Sequence, residues 1–430
     1  MDESGYPRAI VHFDGDAFFA AVEQAVHPHL KGRPLVTGLE RGIIACASYE
    51  AKALGIKRGV SLWDARRMCR DLVVLPSDYE TYSLFSKRMF EIARRFTPLV
   101  EEYSIDEGFA DLTGLRRLFR CGYEEIAQSI QTAVREELDI TVSVGLSLSK
   151  SLAKLASKYR KPKGLTAVPG EKIPEFLQDR KLSDVWGFGP NTVALLTARG
   201  LKTPWDFTRQ PELRAGQLLG KIGREIWNEL RGVAVYPVET EARTPPATIC
   251  KCKTFTSPSA DPDFVYAKLV RNVESAFIKL RRHRLRTGLI SVSLRRQDYG
   301  QRGFEVRLSR SAAAAQEVLP VVREIFERLI ESGAIYRATM IALGEMESDR
   351  TDQLDLFEDR IRADRFRVAA RVTDEVNARF GKHKVASGQA LFLARHPHTE
   401  RDEVPERRNR LLPGETARRR LALPMLDMKI

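Results

Sequence analysis

Two acidic residues set side by side between apolar runs constrain this chain more than any other feature. Asp106 and Glu107 follow Leu99-Val100 and Ser104-Ile105 and precede Gly108-Phe109-Ala110-Asp111, which reads as a β-hairpin with the acids at its tip. Adjacent carboxylates repel, and a turn that concentrates them between strands has use for a cation, most commonly a divalent metal. A third acid fits the same place. Arg8 to Phe13 reads as a short buried strand ending at Asp14, with Gly15-Asp16 behind it as a turn signal. If that strand lies beside the hairpin, Asp14, Asp106 and Glu107 converge on one edge of a sheet. Three carboxylates around two Mg²⁺ ions make a phosphoryl-transfer site, since paired metals clamp the attacking and leaving oxygens of an in-line displacement. Taken singly, a strand-end Asp also serves as a turn or cap residue, and an Asp-Glu pair as solvated surface.

The two segments in full are H-F-D-G-D-A-F-F-A-A-V-E, from His12, and S-I-D-E-G-F-A-D, from Ser104. As a pair they resemble the Y-family (translesion) DNA polymerases, in particular the bacterial DNA polymerase IV type, through roughly residues 8 to 357. The resemblance makes Asp14, Asp106 and Glu107 the catalytic metal ligands, with Gly15 able to add a backbone carbonyl. It makes Phe19 a steric gate, a ring under the deoxyribose that excludes a 2′-hydroxyl, with Phe18 beside it; from the residues alone either ring is equally core packing. Tyr49 and Lys52 stand one helical turn apart, so a phenol and an ammonium face one ligand, and the resemblance assigns them to the incoming triphosphate. Lys161, in the basic loop Lys158 to Gly164, matches the lysine that reaches the same phosphates. Ala45, Ala47 and Gly59 would face the nascent base pair, although small residues are also common in strands packed under a helix. The chain departs from the pattern at two positions: Lys52 stands where the family often has Arg, and Cys46 where it often has Thr. A bidentate guanidinium contact and a hydroxyl donor are then missing, so weaker nucleotide binding is expected.

Periodicity orders the chain. The strand at Asp14, a helix over Tyr82 to Phe96, the hairpin, a helix over Tyr123 to Leu138 and a strand over Ile140 to Leu146 give β-α-β-β-α-β, a ferredoxin-like palm over residues 1–23 and 76–168. Residues 24–75 are an insert, the fingers. Residues 169–240 are mostly helical, and Val185 to Thr192 looks like a helix-hairpin-helix whose Gly187 and Gly189 bring backbone N–H groups to a phosphate; Gly220 to Arg224 repeats the device weakly. This is read as a thumb. Pro237 to Pro246, with Glu239, Glu241, Pro245 and Pro246 and few apolar residues, marks a linker, set at residues 241–246. From 247 to 347 a second β-α-β-β-α-β unit, a little finger, is expected, and the fold class is α+β, multidomain. Residues 247–340 hold 17 lysines and arginines against 9 acids. The clustered Arg281, Arg282, Arg295 and Arg296 point to DNA backbone contact, with Arg284 and Arg286 between them.

Residues 348–430 are the clamp-binding peptide and tail. Gln353-Leu354-Asp355-Leu356-Phe357 looks like the bacterial sliding-clamp motif, a Gln anchor with Leu356 and Phe357 for an apolar pocket. Val368, Val372, Val376 and Phe380 recur every four residues as on an amphipathic helix.

The formal net charge of +13 and a sequence pI near 9.5 suit a polyanionic partner. No apolar run of membrane length and no signal peptide are evident, so no membrane association and a cytoplasmic location are expected. The five cysteines, Cys46, Cys69, Cys121, Cys250 and Cys252, are odd in number and lack C-x-x-C spacing, which indicates neither a disulfide framework nor a zinc site. The expectation is a monomeric, template-directed, low-fidelity DNA polymerase that uses Mg²⁺, dNTP and primer-template DNA and is tethered to the sliding clamp. No segment resembles a proofreading nuclease. Two alternatives stand beside it, a catalytically silent clamp-tethered DNA-binding scaffold and a nucleotide cyclase, which also uses a ferredoxin-like palm.

Overall fold

The computed structural model describes residues 5–240, 246–349, 360–380 and 383–395, with one compact unit within residues 5–240 and another within 246–395. In the first, β1 (Ile10–Gly15) is buried along most of its length because both of its faces are covered. Val11 and Phe13 join one large core, while Ile10 packs on the opposite side with Phe109 and Ala153. Helix α1 (Phe18–Val26) leads into an insert built of β2 (Leu35–Thr37), β3 (Cys46–Ala47), α2 (Tyr49–Ala53), α3 (Leu62–Met68) and β4 (Val73–Leu75). The insert forms a three-stranded sheet, β3-β2-β4, over its own small core of Val36, Ile44, Ala47, Ala51, Ile56, Leu62 and Ala65.

Helix α4 (Tyr79–Arg94) returns to the main layer, its N-terminus capped by Asp78, which accepts from the Thr81 amide. Then come β5 (Val100–Glu102), β6 (Glu107–Asp111), the short α5 (Arg116–Phe119), α6 (Tyr123–Leu138), β7 (Val142–Ser147), α7 (Lys150–Tyr159) and β8 (Leu165–Ala167). The sheet order is β5-β6-β1-β7-β8, with all neighbours antiparallel except β7 and β8. Helix α6 buries Tyr123, Ile126, Ala127, Ile130, Val134 and Leu138, a single stripe at helical spacing. Helix α7 lies against the other face of the sheet. Gly145 permits this: a Cβ there would stand 2.1 Å from the Ala153 carbonyl oxygen and 2.4 Å from the Ser157 nitrogen.

Four further helices complete the unit: α8 (Ile173–Gln178), α9 (Pro190–Ala198), α10 (Pro204–Thr208) and α11 (Glu212–Leu230), the last interrupted at Gly220, where φ is 69°. They are tied to α7 through Glu229, a buried acid that accepts from the amides of Ser151, Val235 and Tyr236 while its own carbonyl accepts from Ser149 Oγ.

The second unit runs β9 (Ile249–Ser259), α12 (Pro262–Arg282), β10 (Leu285–Arg296), β11 (Gln301–Ala312), α13 (Ala315–Leu329), β12 (Tyr336–Ser348), then α14 (Arg360–Phe380) and α15 (Phe392–Arg395). Its element order through β12 is the expected one, and the sheet order is β11-β10-β12-β9, with the first strand at an edge. Cys250 and Cys252 sit exposed on that edge strand. Helix α14 forms where the four-residue repeat placed a helix, yet the repeat is not its buried face. Val368, Val372 and Phe380 are exposed; Ala370 and Asn377 are buried, and Asp374 is clamped by both nitrogens of the Arg281 fork at 2.7 and 2.8 Å. A bidentate ion pair and two small or polar side chains, not the valine row, choose the docking side. Among the described residues no helix is long and apolar enough to cross a membrane.

Candidate active site

The antiparallel register of β1 and β6 sets Asp14 directly opposite Glu107, and the Gly15 amide donates to the Asp106 carbonyl at 2.7 Å. Residues opposite one another in such a pair project from the same face, so the Asp14 and Glu107 carboxylates are neighbours. His12 and Phe109, two residues away along each strand, share that face, and their rings lie 4.7 Å apart. Burial raises the Asp14 carboxyl above its ordinary value, Glu107 adds to the rise, and Lys161, whose Nζ lies 2.6 Å from Asp14 Oδ1, opposes it.

Glu107 is held differently. Burial alone would raise its carboxyl, but hydrogen bonds from His12 and Lys154, together with the Lys154 charge, hold it at about 2. The His12 ring is fully enclosed, with Nε2 3.1 Å from Glu107 Oε2 and Nδ1 2.8 Å from Ser157 Oγ. Burial lowers the His12 pKa, so the ring is neutral and carries one proton. An ionised carboxylate accepts and cannot donate, so that proton is on Nε2, while Nδ1 faces the Ser157 hydroxyl, which also lies 2.9 Å from the Lys154 carbonyl oxygen. Lys154 Nζ completes the grip on Glu107 and lies over the rings of Tyr103, at 4.7 Å, and Trp186, at 5.7 Å. Trp186 also meets Phe109 and Tyr236, so an aromatic box closes over the ammonium. A second lysine of the same helix row, Lys150, pairs with buried Glu101 at 2.6 Å.

Asp106 is engaged locally, accepting from Ser104 Oγ at 2.6 Å. Accordingly, among the described residues no three acidic, histidine or cysteine side chains stand close enough together to hold a metal ion. The donors nonetheless suit a hard divalent cation in kind: all are carboxylate oxygens, Asp14 and Glu107 share a face, and each already holds an ammonium. Asp16, which the sequence marks only as a turn residue, is almost fully buried and accepts from Thr141 Oγ1, Ser143 Oγ and the Lys163 amide, fixing the loop that carries Lys161.

The insert supplies the other side. Tyr49 and Lys52 face each other as their spacing predicts, Nζ lying 4.2 Å over the phenol ring. Burial, then Asp16 and Asp14, push the Tyr49 hydroxyl far above its ordinary value, so the phenol stays protonated within reach of the acids' field. Burial raises the Cys46 thiol as well; the amides of Ala20 and Phe19 oppose it and Asp106 adds to it, which puts Cys46 near all three. Phe18 is core. Phe19 is half-buried and stacks on Tyr82 at 4.4 Å, with Tyr79 edge-on at 5.4 Å. Ala47 belongs to the insert's core, whereas Gly59 is exposed with φ 88°.

The expected DNA contacts divide. Gly187 and Gly189 are exposed at the entry to α9. Arg281 is committed to Asp374 and to the Ala313 carbonyl, so its place is in the packing of α14 and not on a free basic face. Arg296 pairs with Asp298 and Glu331, Arg295 bonds Gln301 across the β10–β11 pair, and Arg282 is exposed at the end of α12. The peptide Gln353 to Phe357 lies outside the described residues.

Comparison with known proteins agrees with this architecture. Residues 13–158 match the impB/mucB/samB family, and residues 246–356 match the C-terminal domain of the same family. The DNA polymerase IV of Opitutus terrae is 32% identical over 384 residues, covering 89% of this chain and 97% of that one. The DNA polymerase IV of Bacillus velezensis is 28% identical over 393 residues, covering 90% and 94%. A solved Y-family DNA polymerase chimera of Dbh and Dpo4 superposes with a TM-score of 0.68 at 22% identity, over 79% of this chain and 99% of that one. With both compact units accounted for, the chain belongs to the impB/mucB/samB family and has the fold of a Y-family DNA polymerase.

Proposed function

We propose that the chain is a template-directed, low-fidelity DNA polymerase for translesion synthesis, joining deoxynucleotides to a primer 3′-hydroxyl. The register that sets Asp14 opposite Glu107, with Lys161 on Asp14 and Tyr49 in the field of Asp14 and Asp16, carries the reading. In it, residues 1–23 and 76–168 are the palm, 24–75 the fingers, 169–240 the thumb and 247–347 the little finger.

Asp14, Asp106 and Glu107, with the Gly15 carbonyl, would hold two Mg²⁺ ions, whose chemistry when bound is to acidify the primer hydroxyl and neutralise the leaving pyrophosphate. His12 and Lys154 keep Glu107 ionised and oriented in advance. Lys161, Tyr49 and Lys52 bind and orient the triphosphate, more weakly than the arginine and threonine common in the family would. Phe19 cannot swing aside, because Tyr82 backs it face to face; a 2′-hydroxyl meets a fixed ring. The working partners are primer-template DNA and dNTP, the site of action is cytoplasmic and the protein acts as a monomer.

Primer extension with Mg²⁺ tests the reading. The wild-type chain is expected to extend with dNTPs and reject rNTPs, and Phe19→Ala to admit rNTPs with discrimination reduced by about 10²-fold or more, the loss of a steric exclusion. Unchanged discrimination would move the gate elsewhere. A silent scaffold would bind primer-template without extending it, and a cyclase would consume triphosphate without a primer.

Residues Gln353 to Phe357 are proposed as the clamp tether, which raises the effective concentration of polymerase at the primer end without tighter DNA contacts. Deleting them should impair extension only when a clamp is loaded on the DNA. An equal loss without the clamp would make the segment structural.

A further inference from the structure

The fingers carry a surface that the catalytic pocket does not use. Helix α3 sends Leu62 and Ala65 into the fingers' core and turns Trp63, Arg66 and Arg67 outward. Trp63 is 66% exposed, the most open of the large apolar side chains in the fingers, and the Arg67 guanidinium lies 4.5 Å over its ring. The helix start is rigid: Ser61 Oγ accepts from the Asp64 amide and donates to the Asp64 carboxylate at 2.6 Å, and the Leu62 amide donates to the Gly42 carbonyl. In the same stretch of chain, Lys57, Arg58, Arg66 and Arg70 are all exposed, and among the described residues none of them is ion-paired. Residues 24–75 hold 9 lysines and arginines against 4 acids, so the insert keeps an excess of positive charge.

A flat ring held open to solvent and braced by a guanidinium, in a segment carrying several exposed unpaired cations, suits a polyanion that presents free aromatic faces. A duplex offers phosphates but hides its base faces in the stack. Single-stranded nucleic acid offers both. The helix start is joined to the rest of the insert, since Ser61 pairs with Ile43, and the exposed Gly59 lies two residues before the Ser61 cap.

We propose that Trp63 and Arg67 form a stacking platform for the unpaired template strand ahead of the primer end, with Lys57, Arg58, Arg66 and Arg70 along its phosphates. The inference rests on the polymerase reading and adds a subsite to it. Anisotropy titrations of the full chain would compare two primer-templates sharing one duplex, the first with a single-nucleotide template overhang and the second with an overhang several nucleotides longer. Trp63→Ala should weaken binding of the longer overhang about tenfold, the worth of one base–aromatic stack, and leave the shorter one unchanged. Trp63→Phe should restore most of the loss, and Arg66→Ala should lower the salt slope on the longer overhang by roughly 0.7, one contact to a single strand.

Equal losses on both substrates, or no loss on either, overturn the platform. The two readings fail separately: a chain that shows the overhang-dependent loss but never extends a primer keeps the platform and loses the polymerase, whereas normal extension with no overhang dependence does the reverse.

Discussion

Primer extension should fall by at least about 10²- to 10³-fold when Glu107 is replaced by alanine, the scale expected for removing a preorganised electrostatic group from a reacting centre. Primer-template binding, measured by anisotropy, should survive. The substitution does a second thing, because it leaves the Lys154 ammonium almost fully enclosed without its carboxylate. Breaking a buried pair from one side costs about 3–5 kcal/mol, so Glu107→Ala is expected to lower stability as well as activity. The two effects separate in a double variant. Glu107→Gln with Lys154→Met removes both charges and should recover most of the lost stability in urea melts while extension stays lost. Extension that returns with stability would remove Glu107 from the chemistry and leave it a structural acid.

Gly145→Ala should be the most damaging single methyl group that can be added to the palm sheet. Its Cβ would stand 2.1 Å from one backbone atom of α7 and 2.4 Å from another, and backbone cannot turn aside as a side-chain tip can. Overpacking of this kind costs about 1–3 kcal/mol or more, and each kcal/mol lowers the melting temperature by about 2–4 °C in a unit of this size. Activity should fall further than stability accounts for. The displaced helix carries Lys154 and Ser157, which hold Glu107 directly and through His12. Extension assayed well below the melt, beside a thermal scan, checks both parts; native values in both would mean that α7 does not press on β7 as described.

Much of the palm was legible because its strands and helices keep clean periods, and because Asp14, Asp106 and Glu107 are acids in places where acids need a reason. The spacing of Tyr49 and Lys52 made their facing legible, whereas Lys161 was marked by the resemblance alone and the structure sets it on Asp14. What stayed hidden was the support beneath the acids. His12 reads as one more strand residue, and Ser157 as one more small residue on a helix. Their partnership with Glu107 joins three segments far apart in the chain, which no local pattern records. One signal was available: Lys150, Lys154 and Lys158 recur one turn apart on a helix whose other residues through Ser157 are small or apolar, and buried lysines need acids. The basic stretch around residue 281 misled for a related reason. Sequence clustering merges the end of α12 with β10, and it cannot tell an arginine that grips a neighbouring helix from one that faces solvent. The row of valines on α14 misled by being regular, since docking followed the Arg281–Asp374 fork instead.

Each of the two facing carboxylates on β1 and β6 carries a tethered counterion from the same polypeptide, Lys161 for one and Lys154 for the other. The charge on both acids is therefore balanced from within the fold. In small zinc modules the ion's binding energy is the folding energy, and a chelator dissolves the fold. Here the repulsion between the facing acids is offset by two lysines of the fold, which a divalent ion entering the site would have to displace.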